Sequence, residues 1–174
     1  MDRNALIDGP RLLWSPRLRL ESPEERHAEA FVESLNRSLP AMAFITWAQQ
    51  ARDREWALEF CRRDRSFVAS GLGLVFNAFL RQGGEFVGRI DLHTFDFDAP
   101  RCEVGYVGDV RHQGRGLMRE AVSCVMAAGF ELGLARIEAM SDARNTRALH
   151  FARGLGMVQE GVLHHHERDP HGAL

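Results

Sequence analysis

The chain has 174 residues, 45% of them hydrophobic and 26% charged, which is the balance of one ordinary globular domain and excludes a disordered or fibrous chain. Its formal net charge of −2 argues against a broad nucleic-acid-binding surface, because such surfaces need an excess of basic side chains. The N-terminus lacks an apolar core of signal-peptide length, no stretch approaches the roughly 20 apolar residues of a membrane span, and the three cysteines are scattered. We therefore expect a single cytoplasmic domain over residues 1–174 with no membrane or nucleic-acid partner.

The first half of the chain predicts one strand and two helices. Residues 17–22 alternate polar and apolar side chains, which is typical of a strand. A helix is expected next, with Ser22 as its N-cap and Pro23 at its first position. A second helix is predicted over residues 46–64, and the apolar residues 39–45 between the two helices are expected to form a buried loop.

In the second half of the chain, the spacing of apolar residues changes from the helical period to the alternation that is typical of strands. Three predicted strands are joined by the turn sequences RQGG and DFDAP, which favour an antiparallel meander; they cover residues 71–80, 85–95 and 101–110. A helix from Leu117 to Leu132 follows, and then a short strand, a helix and a last strand over residues 135–140, 145–156 and 157–166. A strand, a glycine loop, a helix and a strand in succession indicate a right-handed crossover between parallel neighbours. The sequence therefore predicts an α+β domain with a mixed, mostly antiparallel central sheet flanked by about four helices.

The loop before the long helix carries the strongest local signal. Residues 110–122, VRHQGRGLMREAV, place Gly114 and Gly116 at a helix start although glycine is a poor helix former. N–H groups in a first helical turn lack partners and the helix dipole adds partial positive charge, so such a site binds anions. Glycine lets the backbone approach a phosphate closely, and Arg111 and Arg115 would add charge at the rim. The loop is neither a Walker A loop nor GxGxxG, so it is either a phosphate cradle or an ordinary glycine-rich turn.

The wider sequence resembles a known family. Residues 111–116, RHQGRG, match the R/Q-x-x-G-x-G/A signature of the GNAT acetyltransferases. The segments EFVGRIDLH, CEVGYVGDVRHQGRG, LGLARIEAMSDARNTRAL and GLGMVQEGVL fall in the order and spacing of its RimJ/RimL branch, so the resemblance covers roughly residues 17–166. It implies a GNAT fold in which the strand before the loop and the strand after the helix splay apart, with acetyl-CoA in the gap as cosubstrate and no metal.

The same resemblance implies transfer of an acetyl group from acetyl-CoA to a primary amine, the first candidate being an N-terminal α-amino group of a protein. A small-molecule amine (a polyamine, amino acid or antibiotic) is one alternative acceptor. A catalytically weak acyl-CoA-binding regulatory module is the alternative from another class. The family's usual Tyr and Ser on the last helix are replaced here by Ala152 and Ala148, which leaves the general acid unassigned.

The resemblance also implies the contacts to the cosubstrate. The backbone of residues 107–110 would pair with pantetheine, and one N–H there would stabilise the developing oxyanion. Loop amides would hold the pyrophosphate. Asn145 would hydrogen-bond the pantetheine arm, and a helix cap is its alternative role. The predicted cosubstrate-binding residues are Val107, Gly108, Asp109, Val110, Arg111, Gln113, Gly114, Arg115, Gly116, Leu117 and Asn145.

Three side chains on neighbouring strands are candidates for removing a proton from the amine. Asp91 and His93 share one strand face, and Glu103 matches a carboxylate that the family often has at its position. Six acids against two arginines in residues 85–109 would attract a cationic amine, whereas a solvated sheet edge is the alternative interpretation.

The C-terminal region departs from the family pattern, in which another strand follows the one at residues 157–166. The sequence here continues as ERDPHGAL, so the predicted strand would present an open, apolar edge. We expect a homodimer in which such strands pair, or else residues 1–16 folded over that edge. His164, His165 and His166 alternate faces in a strand, so no metal site is expected there.

Overall fold

A six-stranded sheet with strand order β1-β2-β3-β4-β5-β6 organises the computed structural model, which describes residues 1–173. Neighbouring strands are antiparallel from β1 to β5, and β5 and β6 are parallel. The predicted mixed sheet with a parallel pair is confirmed. The strands are β1 (Leu12–Trp14), β2 (Leu18–Glu21), β3 (Leu74–Leu80), β4 (Phe86–Asp96), β5 (Arg101–Gly108) and β6 (Arg136–Glu138). The α-helices are α1 (Arg3–Ile7), α2 (Ala28–Ser38), α3 (Arg54–Ala69), α4 (Leu117–Glu131) and α5 (Thr146–Gly154).

The two helices of the first half start later than predicted. The expected cap at Ser22 is wrong, because a 3₁₀ turn over Glu25–His27 precedes α2 and the N–H of Glu24 donates to His27 Nδ1 at 3.2 Å. Helix α3 starts after residue 46 because Asp53 caps it by accepting from the N–H of Trp56 at 2.8 Å. Residues 39–45 form a loop that begins with a 3₁₀ turn over Leu39–Ala41, but the predicted burial is wrong: Met42 is buried, whereas Phe44 is 37% exposed.

Helices cover both faces of the sheet. One face packs against α4 through a core that includes Phe76, Ile90, Leu92 and Val122. The other face packs against α2 and α3 through an aromatic cluster that includes Phe31, Phe60, Phe79 and Phe86. This second face also carries the odd-numbered side chains of β4 and β5 on which the predicted catalytic residues lie.

Strands β5 and β6 pair over a short length and then separate. Their register runs from Arg101 opposite Arg136 to Glu103 opposite Glu138 and stops there. The part of β5 beyond Glu103 therefore borders a gap, as the GNAT resemblance implied.

The last predicted strand, residues 157–166, is wrong. No strand is assigned after β6 in the described part of the chain, and Val158 and Leu163 are 82% and 61% exposed. A side-chain ion pair, and not a ladder of backbone hydrogen bonds, connects this segment to β6: Arg136 donates to Glu160 at 2.8 Å. The alternative cover by residues 1–16 is also wrong, because β1 lies at the opposite edge of the sheet, beside β2. The strand-pairing argument for a homodimer has lost its basis, and homodimerisation itself stays a prediction.

Candidate active site

The backbone of β5 presents alternate residues to the gap. The N–H of Asp109 donates to the carbonyl of Val87 on β4 at 2.9 Å. Since bonded and non-bonded pairs alternate along an antiparallel ladder, the N–H and C=O groups of Val107 and Asp109 face β4, whereas those of Tyr106 and Gly108 face the gap. The backbone contacts expected over residues 107–110 are thereby redirected to Gly108 and to Tyr106, which the sequence did not mark.

The glycine loop exposes a set of unpartnered N–H groups beside this gap. Gly114 and Gly116 have φ of 73° and 70°, a region that favours glycine, and Gly116 is the N-cap of α4. The N–H groups of Gly114, Gly116 and the first three residues of α4, beginning with Leu117, have no hydrogen-bond partner within residues 1–173. Gln113 and Arg115 instead donate to carbonyls within the turn, at 3.2 and 3.4 Å. The arrangement suits an anion held by backbone donors at a helix N-terminus.

Two further glycines bring α4 close to the sheet. Gly88 and Gly108 lie opposite each other on β4 and β5. A Cβ at Gly88 would lie 2.3 Å from the sulfur of Met118, and a Cβ at Gly108 would lie 2.7 Å from Met118 Cγ. The first turn of α4 therefore packs directly on the two strands, which fixes the loop at the end of the gap.

Asp109 ties the loop to α2. Its side chain is fully buried and accepts from Arg37 Nη1 and Arg111 Nη2, each at 2.8 Å, and from the N–H of Arg111 at 2.9 Å. Burial alone would raise the pKa of Asp109, but the hydrogen bonds from Arg111 and the charges of both arginines lower it overall. The N–H of Val110 donates to Ser38 Oγ at 3.1 Å. Arg111 thus braces the loop, and its guanidinium does not point to an empty rim as the sequence suggested.

A second ion pair braces the start of α4. Glu120 accepts from Ser15 Oγ and from Arg17 Nε, both at 2.6 Å. Burial opposes ionisation of Glu120, but the bonds from Ser15 and Arg17 lower its pKa overall. Arg17 also donates to the carbonyl of Arg115 at 3.0 Å and lies 3.7 Å from the Cβ position of Gly116. Arg17 is a cation at the loop that sequence reasoning missed, since its partners are about a hundred residues away.

Helix α5 flanks the gap with apolar and capping contacts. Asn145 Oδ1 accepts from the N–H of Ala148 at 3.1 Å, so the capping role is present. The ring of Tyr106 packs on Phe151 with 4.8 Å between ring centroids, and burial raises the pKa of the Tyr106 hydroxyl. Ala148 and Ala152 offer no side-chain acid at this helix.

Glu103 lies at the last paired position before the gap. It is opposite His93 on β4 and Glu138 on β6. Glu138 is held by Arg136 at 2.5 Å, whereas the Glu103 carboxylate has no ion pair or hydrogen bond within residues 1–173. A cavity of about 170 Å³ opens beside it, with the buried Cys102 in its wall. Burial raises the pKa of the Cys102 thiol to about 12, so that thiol stays protonated.

Asp91 and His93 lie next to Glu103 on the same face, as predicted. His93 Nε2 is 3.5 Å from Asp91 Oδ2, and His93 Nδ1 is 2.7 Å from Thr94 Oγ1. The Asp91 carboxylate lies over Gly105, with both oxygens within 3.1 Å of the Cβ position that Gly105 lacks. The structure brings the three predicted proton acceptors together where β5 and β6 separate.

Comparison with known proteins decides the family. A family model described as an acetyltransferase (GNAT) domain matches residues 17–158. The chain belongs to the GNAT acetyltransferase family. RimL, a ribosomal L7/L12 alpha-N-protein acetyltransferase solved in complex with coenzyme A, superposes with a TM-score of 0.84 at 18% identity over 93% of this chain and 92% of its own.

Two further similar proteins are also acetyltransferases. The microcin C7 self-immunity acetyltransferase MccE, solved with acetyl-CoA and AMP, superposes with a TM-score of 0.83 at 16% identity over 91% of this chain and 88% of its own. Spermidine N(1)-acetyltransferase from Escherichia coli is 32% identical over 83 residues, which are 47% of this GNAT chain. That match spans 45% of the spermidine enzyme, so about half of the curated relative is compared.

In the described part of this GNAT domain, no helix is long and apolar enough to cross a membrane. Within residues 1–173, His, Cys, Asp and Glu side chains form no group of three or more that could hold a metal ion.

Proposed function

We propose that this GNAT protein transfers an acetyl group from acetyl-CoA to a primary amine, with an N-terminal α-amino group as the first candidate acceptor. The observation that carries the proposal is the set of unpartnered N–H groups at Gly114, Gly116 and the start of α4, placed beside the gap between β5 and β6. This arrangement fits the pyrophosphate of acetyl-CoA, and two neighbours of the same fold were solved with CoA or acetyl-CoA.

The remaining cosubstrate contacts are assigned from the backbone groups of β5 that face the gap. We assign the outward backbone groups of Tyr106 and Gly108 to the pantetheine arm, with one N–H polarising the thioester carbonyl. Asn145 keeps its amide nitrogen for the same arm while its oxygen caps α5. Acetyl-CoA supplies the activated acetyl thioester.

Proton removal from the amine is assigned to Glu103, with Asp91 and His93 as its neighbours. An α-amino group has a pKa near 8, so about a tenth of it is neutral at pH 7 and a carboxylate acting through water is sufficient help. The departing thiol has an ordinary pKa near 8.5, so it leaves as thiolate and takes a proton from water. Because the thiolate leaves without a side-chain acid, this mechanism is consistent with alanine at positions 148 and 152.

A thiol-release assay with three acceptors tests the proposal: a tripeptide with N-terminal serine, spermidine, and a free amino acid. We expect amine-dependent release of CoA and an acetylated peptide by mass spectrometry. Release with spermidine alone would favour the small-molecule enzyme, which the acidic face at Asp91 and Glu103 and the spermidine relative support. Acetyl-CoA binding without transfer to any acceptor would instead support a regulatory module.

A cytoplasmic location is part of the same proposal. Cys61, Cys102 and Cys124 are free thiols, and Cys61 and Cys102 are buried. Free thiols are typical of a reducing compartment.

A further inference from the structure

A buried arginine lies between two carboxylates behind the proposed acceptor site. Arg89 on β4 donates from Nε to Asp64 Oδ2 on α3 at 2.9 Å and from Nη1 to Asp91 Oδ1. The three side chains are 11%, 9% and 15% exposed, and the guanidinium also lies over the ring of Phe60 at 5.3 Å. The proposed mechanism does not use Asp64, and no sequence pattern marked this residue.

The net charge of this triad depends on Asp64. Two carboxylates and one guanidinium leave one negative charge, whereas Arg89 and Asp91 alone would be neutral. Burial by itself would lower the pKa of Arg89, but the charges of Asp91 and Asp64 raise it, so the guanidinium stays charged. The charges of Arg89 and Asp91 largely cancel each other at a distance. The negative potential at the acceptor site therefore depends on the additional charge of Asp64.

The remaining charge lies over β5. Asp91 Oδ1 accepts from Arg89, whereas Asp91 Oδ2 lies 3.5 Å from His93 Nε2 and accepts no hydrogen bond within residues 1–173. The carboxylate lies flat over Gly105, two residues beyond the point where β5 and β6 cease to pair. His93 and Glu103 are the titratable groups beside it on this face.

We propose that Asp64 is a positioning and specificity-determining residue: by holding Arg89 on the α3 side, it leaves Asp91 a charged oxygen that no arginine neutralises and that selects a cationic amine. Asp64 acts through Arg89 and does not touch the acceptor. The inference rests on the proposed function, because it assigns the triad to that reaction's amine site.

The test replaces Asp64 by asparagine, which keeps the shape and an acceptor for Arg89 but removes the charge. We expect Asp64→Asn to raise the KM for spermidine about tenfold, since charges several ångströms apart in a partly solvated site interact by that order. The kcat and the affinity for acetyl-CoA stay unchanged. Glu59→Gln is the matched control, because Glu59 is an exposed acid on the same helix and its loss leaves the KM unchanged.

A charge-rescue variant separates this role from a merely structural one. Asp64→Asn combined with Arg89→Gln leaves Asp91 alone with its charge, so the KM for spermidine returns to within about twofold of wild type. A structural role predicts that the double variant is at least as impaired as the single one. Arg89→Gln alone lowers the KM below wild type, which gives a second readout of opposite sign if Asp64→Asn fails to fold.

Calorimetric binding of spermidine to the CoA-saturated protein keeps the two proposals distinguishable. Wild-type binding that weakens in Asp64→Asn, without acetyl transfer, would refute the proposed function and retain the charge role. Equal KM and equal affinity in wild type and Asp64→Asn, or no rescue in the double variant, overturns the role of Asp64. Absence of spermidine binding by the wild type also overturns it.

Discussion

Replacing Gly114 and Gly116 together by alanine tests the phosphate cradle. Both residues have positive φ, and alanine in that region costs roughly 1–2 kcal/mol per residue, so the free energy of unfolding should fall by about 2–4 kcal/mol. A Cβ at Gly114 meets nothing within 4 Å and one at Gly116 meets only Arg17 at 3.7 Å, so no steric clash adds to this cost. The altered backbone turns two N–H donors away from the phosphate.

Each hydrogen bond to a charged group contributes roughly 1.5–3 kcal/mol, so losing two weakens acetyl-CoA binding at least about a hundredfold. The matched control is Gly83→Ala with Gly156→Ala: both glycines have positive φ and open space at Cβ, and they lie outside the loop. It should lose similar stability in a denaturant titration and keep its calorimetric affinity. Equal dissociation constants for the two double variants would refute the cradle.

Three further substitutions have expected outcomes. Glu103→Gln lowers the rate mainly at low pH, where unprotonated amine is scarce, with acetyl-CoA affinity unchanged; superimposable pH–rate profiles would make Glu103 structural. Gly88→Ala places a Cβ 2.6 Å from the carbonyl oxygen of Val107 and costs roughly 1–3 kcal/mol of unfolding free energy by denaturant titration, whereas a loss within error would contradict the packing of α4. Because the folded-state pKa of Asp109 is lowered, its stabilisation is present above the ordinary carboxyl pKa of about 3.9 and is lost as pH falls through the folded value. Asp109→Asn therefore unfolds more easily than wild type at pH 7, and the two stability curves converge in acid; parallel curves would contradict the linkage.

The strands of the sheet were predictable because their period-2 pattern is local. Strands β3 and β5 fall within the predicted ranges, β4 extends one residue beyond its range, and the turn sequences between them indicated their antiparallel order. The segment at residues 157–166 has a similar local pattern, yet it pairs with no strand within residues 1–173. A strand depends on its partner's hydrogen bonds, which no local pattern contains.

The site was predictable where it depends on backbone and was missed where it depends on charge pairing. Glycine spacing pointed to the loop, whose unpartnered N–H groups lie where expected. The contact between Arg37 and Asp109 was missed because the two residues are 72 positions apart in sequence. The same reason hid the contact between Asp64 and Arg89, 25 residues apart.

The pH dependence of kcat/KM should differ between the candidate acceptors, because α5 carries alanine at the positions where the family usually has a side-chain acid. With thiolate departure unassisted, the rate follows the neutral fraction of the amine. For an α-amino group with a pKa near 8, that fraction rises about tenfold between pH 7 and pH 9 and then levels off; for an alkylamine with a pKa near 10.4, it rises nearly a hundredfold and continues to climb. We expect kcat/KM for the N-terminal serine peptide to level off above about pH 8.5, and that for spermidine to keep rising with unit slope. Glu103→Gln serves as the comparison, since removing the base should lower both rates most at low pH and leave the order of the two acceptors unchanged. If both acceptors level off at the same pH, a group on the protein controls the profile, and unassisted departure of the thiolate is refuted.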